Sequence, residues 1–417
     1  MPATSKLLTA GGFLSFFVFG FVDNLKGPLL PDMVRTGELT YSQVGTIFLV
    51  GYVGFVLATL GCGVLADRVS NRSVLFLAGI ALCIGGYGFS ATSTYPLRIA
   101  FMSVIGMGLG AIELGGNGLM VELHSEARGR YLNLLSTFHG LGSLIVPLFA
   151  AALLKIGFDW QWIYGSSAAL AMLLAAVFWQ SVANLKSSFP SSTTQNLERR
   201  RRVPAGSTMW RAGFTKQMWL YYLLISTYVA LELSVGAWMI EYLQRARGMS
   251  IASSSLFLSG FFVLLMSGRL LGAFVVDAVG HHRAIATALI GSCICLTVGI
   301  FAHPSMVVLV PLSGLFMSIV FPTVTASVSA IHKENIGSIL GILFAFSGVG
   351  GAVGPWTVGI VSDWAGIEIG LASTLVFGLI AIAALAALGP VSSQSETCIV
   401  TAMDSGARVQ CRLPNSK

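Results

Sequence analysis

The chain has 417 residues, of which 55% are hydrophobic and only 10% are charged. A water-soluble domain carries roughly 25% charged residues, so this composition excludes a soluble protein, and it also excludes a disordered chain or a disulfide-rich one. The net charge of +7 could indicate nucleic-acid binding, but membrane orientation explains the distribution of the basic residues better. We therefore predict an all-α membrane protein whose surroundings are the lipid bilayer, with no nucleic-acid partner.

Apolar segments long enough to cross a bilayer, about 20 residues each, recur along the whole chain. The first is centred on residues 16–30 and the second covers residues 41–66. Charge-free intervals such as that between Arg130 and Lys155 supply the later ones. A turn at His303-Pro304 divides one long interval into two crossings. The count is about twelve, and we predict twelve transmembrane helices.

The longest polar insertion separates six predicted helices from the other six. It contains the segment SSFPSSTT and four consecutive arginines, a composition typical of a flexible, basic loop. We predict an N-terminal six-helix bundle (1–183), a cytoplasmic basic linker (184–214), a C-terminal six-helix bundle (215–390) and a cytoplasmic polar tail (391–417).

Lysine and arginine are distributed unevenly between the two sides of the predicted membrane protein. Seventeen of the 24 fall on the side of the N-terminus and five on the opposite side. Cytoplasmic loops carry the excess of basic residues, so we predict that both termini are cytoplasmic in a multi-pass protein of the plasma membrane.

The two halves of the chain contain similar motifs at a nearly constant offset. Asp67 ends the second helix in GVLADRVSNR, and Asp277 ends the eighth in GAFVVDAVGHHR, 210 residues later. Pro147 closes GLGSLIVP in the fifth helix, and Pro355 closes GVGGAVGP in the eleventh, 208 residues later. This pattern predicts two like-facing halves related by a parallel pseudo-twofold repeat, with a cavity at their interface near the bilayer midplane.

The segment from Gly63 to Arg72, between the second and third helices, resembles the signature loop of the major facilitator superfamily. The resemblance implies a secondary active transporter that works by alternating access. Asp67 can interact with the positive N-terminus of a neighbouring helix, and Arg68 and Arg72 can pair with acids across the halves. The alternative is that these residues only anchor the loop on the cytoplasmic side. The residues that we predict to form a conformational latch are Gly63, Asp67, Arg68, Arg72, Arg269 and Asp277.

Glu113 lies in the middle of the fourth predicted helix, within GMGLGAIELGGNGLM. An ionisable group in hydrocarbon costs about 2.5–3.5 kcal/mol on insertion scales, so it indicates function. Asn117, four residues on, shares its helix face. A carboxyl group in such low-polarity surroundings can exchange a proton near neutral pH. We predict that Glu113 couples transport to protons. The alternative is a structural carboxylate bonded to a neighbouring helix.

Four segments resemble the fucose–galactose–glucose/proton symporter family within that superfamily. GLGAIELGGN is similar to the family's fourth helix, FGFVDNLKGPLLPDM to its first, YLNLLSTFHGLG to its fifth and YVALELSVGAWMIEYLQ to its seventh. The resemblance implies a small-molecule substrate, a sugar, and H⁺ (or Na⁺) as the coupling ion. It assigns Glu113 and Asn117 to the site.

The chain departs from that family at two positions of the implied site. Gly27 stands where the family has an aspartate before Leu-Leu-Pro, and the nearest acid is Asp23, which Lys26 can neutralise within the helix. His139 stands where the family has a substrate-contacting asparagine. These departures leave the sugar and the number of protons open. The further candidates for substrate contact are Asp23, Lys26, Asn133, His139, Glu232, Trp238 and Trp356.

Two of these candidates rest on separate arguments. Glu232 is the repeat counterpart of Asp23, and it could contact substrate or pair with Tyr228 or Ser234. Tryptophan rings can stack on sugar faces, although most aromatic residues in membrane helices only pack.

Other functions remain open at this level. GLGSLIVP loosely resembles the glycine-proline motif of drug or metabolite antiporters, and a non-transporting receptor could use the same fold. Nucleotide-binding, zinc-protease and lipase motifs are absent from the sequence, and the six cysteines have no paired spacing. We expect no enzyme, no cofactor and no metal site, and by analogy a monomer.

Overall fold

The computed structural model describes residues 3–36, 39–66, 70–124, 127–183, 213–331 and 336–389. Within these ranges, twelve spans are long and apolar enough to cross a membrane. The predicted all-α class and the number of spans are therefore confirmed. Most of the predicted linker, the predicted tail, Asp67 and Arg68 lie outside the described residues.

The first six spans form the N-terminal half, and the first span is split into two helices. They are Ala3–Asn24 with Lys26–Thr36 (span 1), Tyr41–Ala66 (span 2), Asn71–Ala91 (span 3), Tyr95–Leu123 (span 4), Arg128–Lys155 (span 5) and Trp160–Ala183 (span 6).

The second six spans form the C-terminal half. They are Lys216–Arg245 (span 7), Ile251–Val279 (span 8), His281–Phe301 (span 9), Pro304–Val308 with Leu309–Met317 and Val320–Ile331 (span 10), Ile336–Ala365 (span 11) and Ile367–Ala372 with Thr374–Leu388 (span 12). Span 10 starts with a 3₁₀ turn that His303 caps, at the turn predicted from the sequence.

The interruption in span 1 has a covalent cause. Pro28 has no backbone N–H, so the carbonyl of Asn24 loses its helical partner four residues later. The first helix accordingly ends at Asn24 and a new one starts at Lys26. Asp23 and Lys26 are thereby held beside a break in the helix, in the interior of the protein.

The repeat predicted from the sequence is visible in the packing of glycines. A Cβ atom on Gly142 would collide with the carbonyl oxygen of Phe17, where span 5 crosses span 1. In the second half, a Cβ atom on Gly350 would collide with the carbonyl oxygen of Ser226, where span 11 crosses span 7. The same close crossing therefore occurs at equivalent positions of both halves.

The two halves meet along three lines of contact. Span 2 packs against span 11, span 5 against span 8, and span 7 against the second helix of span 1. We call the membrane side at which spans 6 and 7 are joined by residues 184–212 the linker end, and the opposite side the far end.

Candidate functional site

The centre of the site is an ion pair at the break in span 1. Nζ of Lys26 donates a hydrogen bond of 2.7 Å to Oδ1 of Asp23, as their spacing predicted. The hydroxyl of Tyr52, from span 2, lies 3.0 and 3.2 Å from the two carboxylate oxygens. Nζ also lies 4.4 Å from the centroid of the Tyr52 ring. Tyr52 therefore contacts both ions, through its hydroxyl and through its ring face.

Asn24 belongs to the same site, although it is not among the residues predicted from the sequence. Its side-chain amide donates hydrogen bonds to the carbonyl of Gly20 (3.0 Å) and to Oγ of Ser143 in span 5 (2.9 Å). Its position next to Asp23 was the only signal in the sequence that could have identified it. The contact joins span 5 to the break in span 1.

Gly27 brings the two halves together beside the ion pair. A Cβ atom at this position would lie 2.9 Å from the carbonyl oxygen of Gly236 in span 7, so a larger residue would push span 7 away. This contact gives a physical reason why the acid of this site stands at Asp23 and not at Gly27.

A second charged pair comes from the C-terminal half. Nη2 of Arg269 in span 8 lies 3.7 Å from Oε1 of Glu232 in span 7. The sequence placed Arg269 in the predicted latch and left Glu232 either contacting substrate or pairing with Tyr228 or Ser234, so the pair between them was not predicted. The hydroxyl of Tyr228 lies 2.7 Å from the carbonyl oxygen of Met317 and also interacts with the Glu232 carboxylate, so one of the two local partners considered for Glu232 is present as well. The side chain of Asp277 is not among those described.

A small cavity separates the two charged pairs at the junction of the halves. It has room for only about two water molecules. Its lining combines residues of both halves, among them Asp23, Lys26, Tyr52, Glu232 and Phe262. A solute larger than water therefore needs side chains to move aside before it can bind.

Glu113 is not among the residues that line this cavity. Its side chain accepts a hydrogen bond of 3.0 Å from Nδ2 of Asn117, the neighbour that the spacing predicted. On either side of it along span 4, Gly110 approaches Phe55 of span 2 and Gly116 approaches Phe16 of span 1. The carboxyl group consequently faces the interior of the N-terminal half, not lipid. Among the described residues it has no cationic partner.

The two span 5 candidates occupy different surroundings. The ring of His139 meets the ring of Phe19 edge-on, with 4.8 Å between the centroids. Asn133 lies nearly two turns closer to the linker end, where its side chain is exposed. The structure therefore does not bring Asn133 together with Asp23.

The two tryptophans lie in the contact between the halves. Trp238 is fully buried, and its Nε1 donates a hydrogen bond of 3.0 Å to the carbonyl of Pro355. A Cβ atom on Gly45 of span 2 would lie only 3.1 Å from the Cα atom of Trp356. The burial of Trp238 leaves no ring face for a sugar in this conformation, contrary to the sequence-based expectation.

Hydrogen bonds between the halves seal the far end. Asp363 of span 11 accepts hydrogen bonds from the backbone N–H groups of Tyr41 (2.9 Å) and Ser42 (2.8 Å), at the start of span 2. The hydroxyl of Tyr41 donates to Glu241 of span 7 (2.7 Å), which Arg245 also contacts. Sequence spacing gave no indication of the contacts that Tyr41 and Ser42 make with spans 7 and 11, which join residues 200 or more positions apart.

The linker end is open along the contact of spans 5 and 8. Gly140 of span 5 packs against Met266 of span 8. Asn133 and Ser136, further toward the linker end, are exposed polar residues, whereas the lipid-facing side of span 5 carries apolar residues such as Leu148. Exposed polar groups on the side of the partner half indicate a cleft between the halves.

The described latch residues do not connect the halves. Arg72 of span 3 lies 3.8 Å from Glu122 of span 4, so its partner belongs to its own half, and the expected pairing across the halves is wrong for this conformation. Gly63 lies within span 2.

Comparisons with known proteins agree on one family. The sequence model of the Major Facilitator Superfamily matches residues 12–239 and 230–398. The L-fucose-proton symporter of Escherichia coli (strain K12) is 24% identical over 84% of this chain and 86% of that protein. The glucose/galactose transporter of Brucella abortus biovar 1 (strain 9-941) is 25% identical over 92% of this chain and 93% of that protein.

A solved structure has the same fold. It is a bacterial homologue of the human lysosomal transporter Spinster in an inward-facing, unoccupied conformation. The TM-score is 0.77 at 13% identity, over 93% of this chain and 97% of that one. At this identity the likeness establishes the fold alone.

Proposed function

This chain belongs to the Major Facilitator Superfamily, and we propose that it carries a sugar across the membrane by alternating access, with the proton as coupling ion. It is a multi-pass membrane transporter and not an enzyme. The observation that carries the proposal is the pair of charged clusters, Asp23 with Lys26 and Glu232 with Arg269, at the junction of the halves. Ionisable groups are costly inside a membrane, and they typically mark substrate and ion pathways.

The names of the relatives support the substrate class. One is an L-fucose-proton symporter and the other a glucose/galactose transporter, and each aligns along most of its length. Sugars bind through hydroxyl groups, which need both donors and acceptors. The cavity offers both through Asn24, Lys26, Tyr52 and the two carboxylates.

Glu113 is the best candidate for carrying the proton. Asp23 and Glu232 each have a cation nearby, whereas Glu113 has only the Asn117 amide among the described residues. A buried carboxylate without a counter-ion is costly, and uptake of a proton removes this cost. Gly116, one turn after Glu113, approaches Phe16 of span 1, so protonation of Glu113 can influence the packing around span 1.

Two variants, one at Glu113 and one at Asn117, test the coupling. Glu113→Gln resembles the protonated acid in shape, and we expect sugar exchange to continue while uphill accumulation stops. Asn117→Ala is the matched control, because it removes the hydrogen-bond partner and keeps the acid. Accumulation that is unchanged in Glu113→Gln would exclude the coupling role.

Counterflow in proteoliposomes tests transport itself. Vesicles preloaded with L-fucose, D-galactose or D-glucose should take up the same labelled sugar, and an imposed pH gradient should drive its accumulation. If neither these sugars nor a sugar acid such as D-galacturonate shows counterflow while the purified protein remains folded, the proposed sugar transport is wrong.

A further inference from the structure

Within the part of the chain that the structure describes, Arg269 has no hydrogen-bond partner for most of its donor groups. A guanidinium has five N–H donors in a rigid fork. Among the described residues, Arg269 has one ionic contact, the 3.7 Å approach to Glu232, and its Nε is buried without a hydrogen bond. Leaving donors of a charged group unpaired in the interior costs free energy. The position is therefore suited to an acceptor that arrives from outside.

The other cation of the site does not share this property. Lys26 is bound to Asp23 at 2.7 Å and lies over the Tyr52 ring. Its charge is therefore already matched by a neighbouring acid and an aromatic face. Of the two cations, Arg269 is the one with free binding capacity.

Arg269 is also within reach of a solute that enters the site. It lies seven residues, or two helical turns, after Phe262 on the same face of span 8, and Phe262 lines the cavity. Its partner Glu232 lines the cavity too. The side chain is 35% exposed, so part of the guanidinium is accessible while Nε stays buried.

We propose that the transported sugar is a sugar acid, whose carboxylate binds the guanidinium fork of Arg269; this rests on the proposed transport function. A carboxylate matches the planar fork with two parallel hydrogen bonds. A phosphate, with up to two negative charges, would face the carboxylates of Asp23 and Glu232, and of the two cations described at this site only Arg269 has unpaired donors to offer it. One free guanidinium thus favours a singly charged solute.

Binding to the purified full-length protein in detergent tests the inference. The probes are D-galacturonate, its neutral methyl ester and D-galactose, titrated by calorimetry. We expect D-galacturonate to bind about 10- to 100-fold more tightly than the other two, as hydrogen bonds to charged groups imply. Arg269→Gln should abolish this preference, and Arg269→Lys, which keeps the charge without the fork, should retain part of it.

Two further variants identify the residue responsible. The double variant Asp23→Asn with Lys26→Gln removes the other cation together with its acid; all three probes should bind more weakly, because both residues belong to the site, while the ratio that favours D-galacturonate should persist. Asp277→Asn tests the alternative that Arg269 acts in a latch with Asp277. In that case, a change at either residue should weaken the binding of all three probes alike. A preference that survives Arg269→Gln, or that is lost only in the double variant, overturns the assignment.

The outcomes also separate this inference from the transport proposal. Equal or tighter binding of D-galactose or the ester overturns the sugar-acid class and leaves sugar transport in place. If D-galacturonate fails to bind while neutral sugars show counterflow, the sugar-acid class is also overturned and sugar transport stays in place. If no probe binds and no sugar shows counterflow, both proposals fall.

Discussion

At the scale of single residues, spacing along the chain predicts the contacts of the site that lie within one helix, but not the contact between two spans. Asp23 with Lys26 and Glu113 with Asn117 lie three and four residues apart, so helix geometry alone brings their side chains together. Both contacts are present. Arg269 and Glu232 are also in contact, but they stand on different spans. Sequence spacing contains no information about that pairing.

Removal of Lys26 should destabilise the protein more than removal of the whole pair. Lys26→Met leaves the Asp23 carboxylate buried without its cation, which costs about 3–5 kcal/mol. The added change Asp23→Asn removes the charge, and we expect it to recover most of the loss. Unfolding of both variants in detergent, followed by circular dichroism, measures the difference. Equal stability of the two variants would show that the pair is not energetically coupled.

Restoring the acid of the related family at Gly27 should impair the protein. A Cβ atom there would lie 2.9 Å from the Gly236 carbonyl oxygen, so Gly27→Asp must move span 1 away from span 7. We expect weaker closure of the far end, without gain of proton coupling. Gly27→Ala adds only the methyl group and separates the steric effect from the charge. Wild-type transport by Gly27→Asp would contradict this explanation.

At the scale of helices, span 2 depends on the other half of the molecule for its N-terminal cap. The first backbone N–H groups of a helix have no partner within the helix. The hydroxyl of Thr40, the residue directly before span 2, accepts a hydrogen bond from the backbone N–H of Gln43. The backbone N–H groups of Tyr41 and Ser42 instead donate to the carboxylate of Asp363 in span 11. This second cap forms only while the far end is closed.

Asp363→Ala should therefore shift the conformational equilibrium as well as the stability. Loss of a helix cap costs about 0.5–2 kcal/mol, which corresponds to a shift of about 2- to 30-fold toward far-end opening. Ser250→Ala is the matched control, because Ser250 caps span 8 within its own half. Reaction of a cysteine placed at Ser42 with an impermeant maleimide measures the shift. Equal rates in the two variants would exclude a gating role for Asp363.

The spans themselves were the most predictable elements. Their number and the turn before span 10 follow from the hydropathy pattern and from His303-Pro304, because the bilayer fixes the length of each crossing. Trp238 shows the limit of this approach. A tryptophan in an apolar helix can line a cavity or fill a contact, and only the packing of span 11 decided that its ring is buried.

At the scale of the whole molecule, the two halves resemble each other more in how their helices pack than in how their charged residues are paired. Gly142 and Gly350 provide the same close helix crossing in the two halves, as the repeated glycine-rich motifs led us to expect. The acids Asp23 and Glu232 also correspond. Their cations do not, since Lys26 comes from the same span as its acid and Arg269 from the next. The duplicated sequence predicted the scaffold, while the asymmetry of the site became visible only in the structure.

The closed far end and the open linker end together predict reciprocal motion. In this conformation, spans 2 and 11 are joined by Asp363, while Ser136 of span 5 and Leu270 of span 8 are exposed toward the linker end. If the halves rock about the central site, opening of one end requires closing of the other. Substrate and proton would select between the two arrangements.

The most direct measurement is the pair of distances between spin labels at the two ends, taken in the same preparation by pulsed electron paramagnetic resonance. One pair replaces Ser136 and Leu270 at the linker end, and the other replaces Thr36 and Trp364 at the far end. Alternating access predicts that, as substrate and pH are varied, the linker-end distance shortens in the same population in which the far-end distance lengthens. Distances that stay fixed under all these conditions, or that lengthen at both ends together, would contradict it.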